Sequence, residues 1–152
     1  GRLIMKTLTK TALLASVLLT SFAQAKPSNV DFLNTGKANP NLPFSQIVKA
    51  GNTLYMSGQI GINPATGKLA AGGFEGEAKQ TLENIKRTLE QHNYSMSNIV
   101  KCTVMLTNIN DFKAFNAIYT QYFSAPYPAR SAFAVNALAL DSLVEVECIG
   151  AV

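Results

Sequence analysis

Apolar residues recur at helical spacing in two stretches of the chain and alternate or cluster in several others. Ala78, Leu82, Ile85 and Leu89 fall at i, i+4, i+7 and i+11, one stripe of a helix predicted over residues 75–92. Glu75 and Glu77 near its start and Lys86 and Arg87 near its end suit the helix dipole. A second stripe, Phe112, Phe115, Tyr119 and Tyr122, follows Asp111, a candidate N-cap, and is stopped by Pro126 and Pro128. Strands are predicted over 44–49 and 53–57, joined by Ala50-Gly51-Asn52 with hairpin chemistry. Further strands follow at 99–106, 130–135 and 143–152, the last alternating Val144, Val146 and Cys148 with Glu145 and Glu147. Residues 26–43, rich in Asn, Pro, Gly and Lys, read as an irregular arm. Residues 58–73 read mostly as loop, with a turn at 64–68. The order β-β-α-β-α-β-β, with two helices able to cover one face of a single sheet, predicts an α+β two-layer domain. The uncovered face would carry Glu145 and Glu147 with small residues such as Ala132 and Ala134. A subunit interface or a ligand cleft explains such a surface better than open solvent does.

At 152 residues the chain has room for one domain, and 47% apolar against 14% charged residues makes it globular. Gly1–Ile4 precede an internal Met5 and read as a cloning scar or upstream read-through. From Met5 the chain runs through Lys6 and Lys10, an apolar stretch around 12–19, and Ala23-Gln24-Ala25. That order describes a secretory signal peptide cut after Ala25. Its apolar stretch is about a dozen residues, short of the ~20 that a spanning helix needs. The expectation is therefore a domain over residues 26–152 that is free of the membrane after cleavage and is periplasmic or secreted. Three of the 13 Lys/Arg lie in residues 1–25, which hold no acid; ten bases against nine acids, a net +1, remain. The basicity belongs to the leader, and the electrostatic case for a nucleic-acid partner goes with it. One His and two Cys provide neither a histidine metal cluster nor a disulfide scaffold. Cys102 and Cys148, each inside an apolar strand, are expected as two buried free thiols rather than one bridge.

Candidate chemistry is sparse. The stretch from Gly61 to Lys68 has the wrong glycine spacing for a phosphate loop and lacks a Ser or Thr after the lysine. No Ser/His/Asp or Cys/His pairing stands out. What remains is Pro128-Ala129-Arg130-Ser131-Ala132, then Glu145 fifteen residues after Arg130, with Ser57-Gly58-Gln59 upstream. A guanidinium fork holds a planar carboxylate bidentately without titrating, and a carboxylate can hold and deprotonate an attacking water.

Together these segments resemble the Rid family of reactive-intermediate deaminases, also called the YjgF type, from about Phe44 to Val152. The resemblance implies a chorismate-mutase-like fold assembled as a homotrimer with clefts between subunits. It implies hydrolysis of 2-imino and 2-enamino acids, such as 2-aminoacrylate, to 2-oxo acids and ammonia, with no metal or organic cofactor. Arg130 then matches the residue gripping the small 2-imino or 2-oxo acid, and Glu145 the acid that positions water. Ser57 and Gly58 match a cleft-lining segment, and Asn116 a pocket asparagine. Two positions depart from the family pattern: Phe44 stands where many members have Tyr, and Ala132 where many have Cys. The alternative is a non-catalytic trimer that binds small carboxylates or acts as a holdase-like stress protein. Ribonuclease activity is disfavoured by the net charge of +1.

Overall fold

The computed structural model describes residues 29–35 and 41–152; the predicted leader lies outside them. Four-residue strand β1 (Val30–Leu33) pairs antiparallel with β2 (Ile47–Ala50), so part of the predicted irregular arm is an edge strand. A side-chain clasp holds it there: Thr35 N–H donates to Gln46 Oε1 (2.6 Å), and Gln46 N–H donates to Asn34 Oδ1 (3.0 Å). β2 turns through Gly51-Asn52 into β3 (Thr53–Met56), with Gly51 at φ 58°. This is the predicted hairpin, a tight turn for which glycine carries no steric cost.

Residues 58–73 are more ordered than loop. β4 (Gln59–Ile60) pairs with the last strand, β9 (Val144–Ala151), placing Ile60 opposite Glu145. β5 (Ile62–Asn63) and β6 (Lys68–Leu69) form a small hairpin around the expected turn. Two-residue strands carry no periodicity, so a sequence pattern cannot reveal them. Helix α1 (Gly73–Glu90) holds this segment close: Asn84 Nδ2 donates to the carbonyls of Ile60 (3.1 Å) and Ile62 (2.9 Å). A Cβ at Gly61 would lie 2.6 Å from the Glu77 carbonyl oxygen, so the approach requires glycine there.

The main sheet runs β1-β2-β3-β9-β7-β8, with β7 (Ile99–Leu106) at the predicted bounds and β8 (Ala129–Ala134) on the far edge. β7 and β8 are parallel, and the other pairs are antiparallel. Helices α1 and α2 (Phe112–Tyr119) cover one face. All four stripe residues of α1 are buried against Leu54, Val104, Leu106, Val144 and Val146. Asp111 precedes α2 without a side-chain cap; Asn108 instead accepts from Asn110 N–H (3.1 Å) in the turn before it.

The two cysteines are a disulfide, not free thiols. Cys102 and Cys148 face each other across the β7–β9 ladder, Cα atoms 4.1 Å apart, both buried on the helix side. In the sequence each cysteine reads only as part of an apolar strand; the strand register makes them opposite neighbours.

Candidate active site

Glu145 points to the face of β9 away from the helices, between the buried Val144 and Val146. Its carboxyl rests against the bare Cα of Gly58; a Cβ there would clash with the carboxylate and lie 3.0 Å from Glu145 Cδ. Among the described residues no group donates a hydrogen bond to this carboxyl. Its pKa is raised above the usual glutamate value, first by burial and then by the nearby negative charge of Glu147. Ser57 ends the β3 turn: its N–H donates to Gln46 O (3.0 Å) and its hydroxyl to Ser45 O (2.6 Å). Phe44, half exposed, stands just ahead of β2. Glu145, Ser57, Gly58 and Phe44 share a cavity of about 690 Å³, walled further by Leu42, Leu140 and Arg87.

Arg130 and Asn116 form a second cluster elsewhere in the chain. Arg130 Nη2 donates to Asn116 Oδ1 at 2.7 Å, which joins β8 to α2. The guanidinium carbon lies 4.7 Å from the ring centre of Tyr119, 5.5 Å from that of Phe112 and 5.9 Å from that of Phe115. An aromatic box of this kind fixes a cation's orientation without neutralising it, leaving the remaining donors free for an anion. Burial pushes the Tyr119 hydroxyl pKa up, and the Arg130 charge partly opposes that.

Within one chain the two clusters do not meet. Arg130 pairs in register with Cys102, on the helix side of the sheet, while Glu145 faces the opposite side two strands away. Ala132 and Ala134, both expected on the uncovered face, lie instead on the Arg130 side, opposite the buried Val104 and Leu106; the uncovered face of β8 carries Ala129, Ser131 and Phe133. The reason is the parity of β8, set by its pairing with β7 and invisible in a strand with no clean alternation. Sequence reasoning missed Leu140 and Arg87. Leu140 sits at φ 57° in a single turn before β9, a conformation no sequence signal announced. In the sequence Arg87 reads only as a helix-end charge. Among the described residues there is no His/Cys/Asp/Glu cluster able to hold a metal, and no helix is long and apolar enough to cross a membrane.

Residues 35–152, most of the chain, match the family described as Endoribonuclease L-PSP. The chain belongs to that family. Among its L-PSP relatives, the goat 2-iminobutanoate/2-iminopropanoate deaminase is 46% identical over 118 residues, 77% of this chain and 86% of the goat protein. The human protein of that name is 44% identical over the same shares. The crystal structure of RidA from an Antarctic Psychrobacter superposes with a TM-score of 0.71 at 41% identity, covering 75% of this chain and 92% of that one. That of E. coli TdcF with bound serine gives 0.69 at 36% identity, covering 73% and 89%. The two-layer α+β fold expected from the sequence is therefore the fold of this L-PSP chain and of its relatives.

Proposed function

We propose that the protein is a hydrolytic deaminase of 2-imino and 2-enamino acids, working as a homotrimer whose clefts lie between subunits. The observation that carries this reading is the division of labour within one chain. A preorganised carboxylate fork, Arg130 with Asn116, and a cavity with a carboxyl of raised pKa, Glu145, sit on opposite faces of one sheet. Each lacks what the other holds. Closed cyclic association brings one subunit's Arg130 side to a neighbour's Glu145 side and completes both. The relatives named as iminobutanoate/iminopropanoate deaminases support the same chemistry.

In that cleft Arg130 binds the C1 carboxylate and presents the imine carbon to Glu145. Glu145 takes a proton from water as the water oxygen bonds to that carbon. The protonated imine nitrogen becomes the amine of a carbinolamine. Glu145 returns the proton to this amine, and the carboxylate so freed takes the hydroxyl proton as the C=O bond forms and the C–N bond breaks; ammonia leaves with that proton as ammonium, and the 2-oxo acid remains. An enamine enters the same sequence after protonation at Cβ. Ala132 keeps a backbone N–H near the fork, and Phe44 supplies a ring without a hydroxyl. The net charge of +1 over residues 26–152 gives no support to RNA as the substrate.

Export belongs to the same proposal. The leader over residues 1–25 directs the chain to the periplasm or outside the cell, and the Cys102–Cys148 bridge supports an oxidising compartment. The test is ammonia release from imines generated in situ by an L-amino-acid oxidase, with light scattering on the same sample. Accelerated release and three times the monomer mass are expected. A monomer sinks the shared cleft. Binding of 2-oxo acids without any turnover favours the non-catalytic alternative.

A further inference from the structure

Arg87 stands in the last turn of α1 and lines the same cavity as Glu145 and Gly58. It is half-buried, and its hydrogen bond goes from Nη2 to a neutral acceptor, Asn84 Oδ1, at 3.1 Å. Asn84 is itself immobilised: it is 4% exposed, its Nδ2 is engaged by two carbonyls, and its Oδ1 also accepts from Gln80 (3.0 Å). The nearby helix acids serve the neighbouring lysine, with Lys86 4.0 Å from Glu83 and 3.8 Å from Glu90. Among the described residues no carboxylate lies within ion-pair distance of Arg87. A guanidinium carries five N–H donors, so most of its fork is unspent. The cavity between Arg87 and Glu145 is walled by Phe44, Ile60, Ile62 and Leu140. In the single chain this cavity measures about 690 Å³, the size class of sites for drug-sized ligands.

We infer that Arg87 is a specificity residue that receives a second, distal carboxylate, so that the preferred substrates are 2-imino dicarboxylic acids derived from acidic amino acids. The inference rests on the deaminase reading above. With the C1 carboxylate on a neighbour's Arg130 and the imine carbon at Glu145, the side chain has only the cavity to enter. A short apolar stem against Phe44 and Ile60 leads to the Arg87 fork. A terminal carboxylate there forms charge-assisted bonds to a cation held in place by Asn84. Alanine- or leucine-derived imines leave the half-buried guanidinium without an anion.

The experiment compares kcat/KM for the imines formed in situ from glutamate and from leucine, in the wild type and in Arg87→Leu, Arg87→Gln and Arg87→Lys. The measured quantity is the glutamate/leucine ratio. The wild type should favour the dicarboxylate, and Leu or Gln should lower the ratio by about 10- to 100-fold, the range of hydrogen bonds to a charged group. Lys should restore part of it, as a point charge without the fork. Calorimetric binding of 2-oxoglutarate against 2-oxobutanoate should shift in the same direction and does not require turnover. An unchanged ratio in all variants, with turnover intact, overturns the role of Arg87 and leaves the deaminase reading standing. Absence of turnover in the wild type strikes the deaminase reading, while the binding comparison still decides Arg87. Loss of trimer mass in the Gln variant, with the ratio unchanged, makes Arg87 an interface residue and overturns the proposal.

Discussion

Reducing the Cys102–Cys148 bridge should weaken the fold by an amount set by the loop it closes. The cysteines are 46 residues apart in sequence. The chain-entropy relation for a loop of that length gives about 4 kcal/mol at 25 °C, and native disulfides commonly deliver about 2–4 kcal/mol. With a urea dependence of ~2 kcal/mol per molar, the unfolding midpoint should fall by about 1–2 M. The assay is urea unfolding of protein recovered from an oxidising compartment, with and without a phosphine reductant throughout. Protein concentration must be fixed, because the proposed association would contribute to apparent stability. Thiol titration of the denatured, unreduced protein should find no free thiol. Two titratable thiols, or coincident midpoints, would refute the reasoning and return both cysteines to the role of small buried hydrophobes.

Three site variants give further checks. Arg130→Ala should abolish measurable binding of small 2-oxo acids in calorimetry, a loss of ~2–5 kcal/mol for a charged contact removed from a partly desolvated cleft; wild-type affinity would break the assignment of the fork. Glu145→Gln should keep that binding and lower kcat by about 10²–10⁴-fold. Because burial and then Glu147 raise the Glu145 pKa, wild-type activity should decline with falling pH at values above the ordinary carboxylate range. The same shift means that the native state takes up this proton more readily than the unfolded chain. The cost of keeping Glu145 ionised is thus present above its folded pKa and vanishes below its unfolded one. Glu145→Gln should therefore be no less stable than wild type at neutral pH; a lower melting temperature there contradicts it. Gly58→Ala should displace the Glu145 carboxylate, a flexible group, and reduce turnover by at least about tenfold with little change in melting temperature; full activity would mean that the carboxylate need not lie against Gly58.

Periodicity carried most of the fold. The α1 stripe and the bounds of β7 were legible because each pattern repeats over enough residues to exclude its alternatives. β1 and β4–β6 were not, because two to four residues flanked by Gly, Pro and Asn carry no period, and a distant ladder decides their conformation. Register was the larger gap. It turns two isolated cysteines into a disulfide and moves Ala132 to the Arg130 side of the sheet. Ser57, Gly58, Phe44 and Glu145 were grouped through a resemblance, and the fold brings those four to one cavity. Arg87 lay in view as a helix-end charge, and only the third dimension shows which cavity it lines.

The separation of Arg130 from Glu145 within one chain has a genetic consequence in the proposed assembly. Every chain serves two reaction centres, lending its arginine to one and its glutamate to another. A subunit defective at Glu145 disables the centre that draws on that glutamate while its arginine still serves a neighbour. Alleles defective in different halves should then complement one another: in trimers mixed at random from equal amounts, roughly a quarter of the centres unite two intact halves. Alleles defective in the same half should not. Mixed with wild type, an allele defective in either half should leave roughly half of the centres intact, a symmetry that follows from how the sheet divides its two faces rather than from either residue alone.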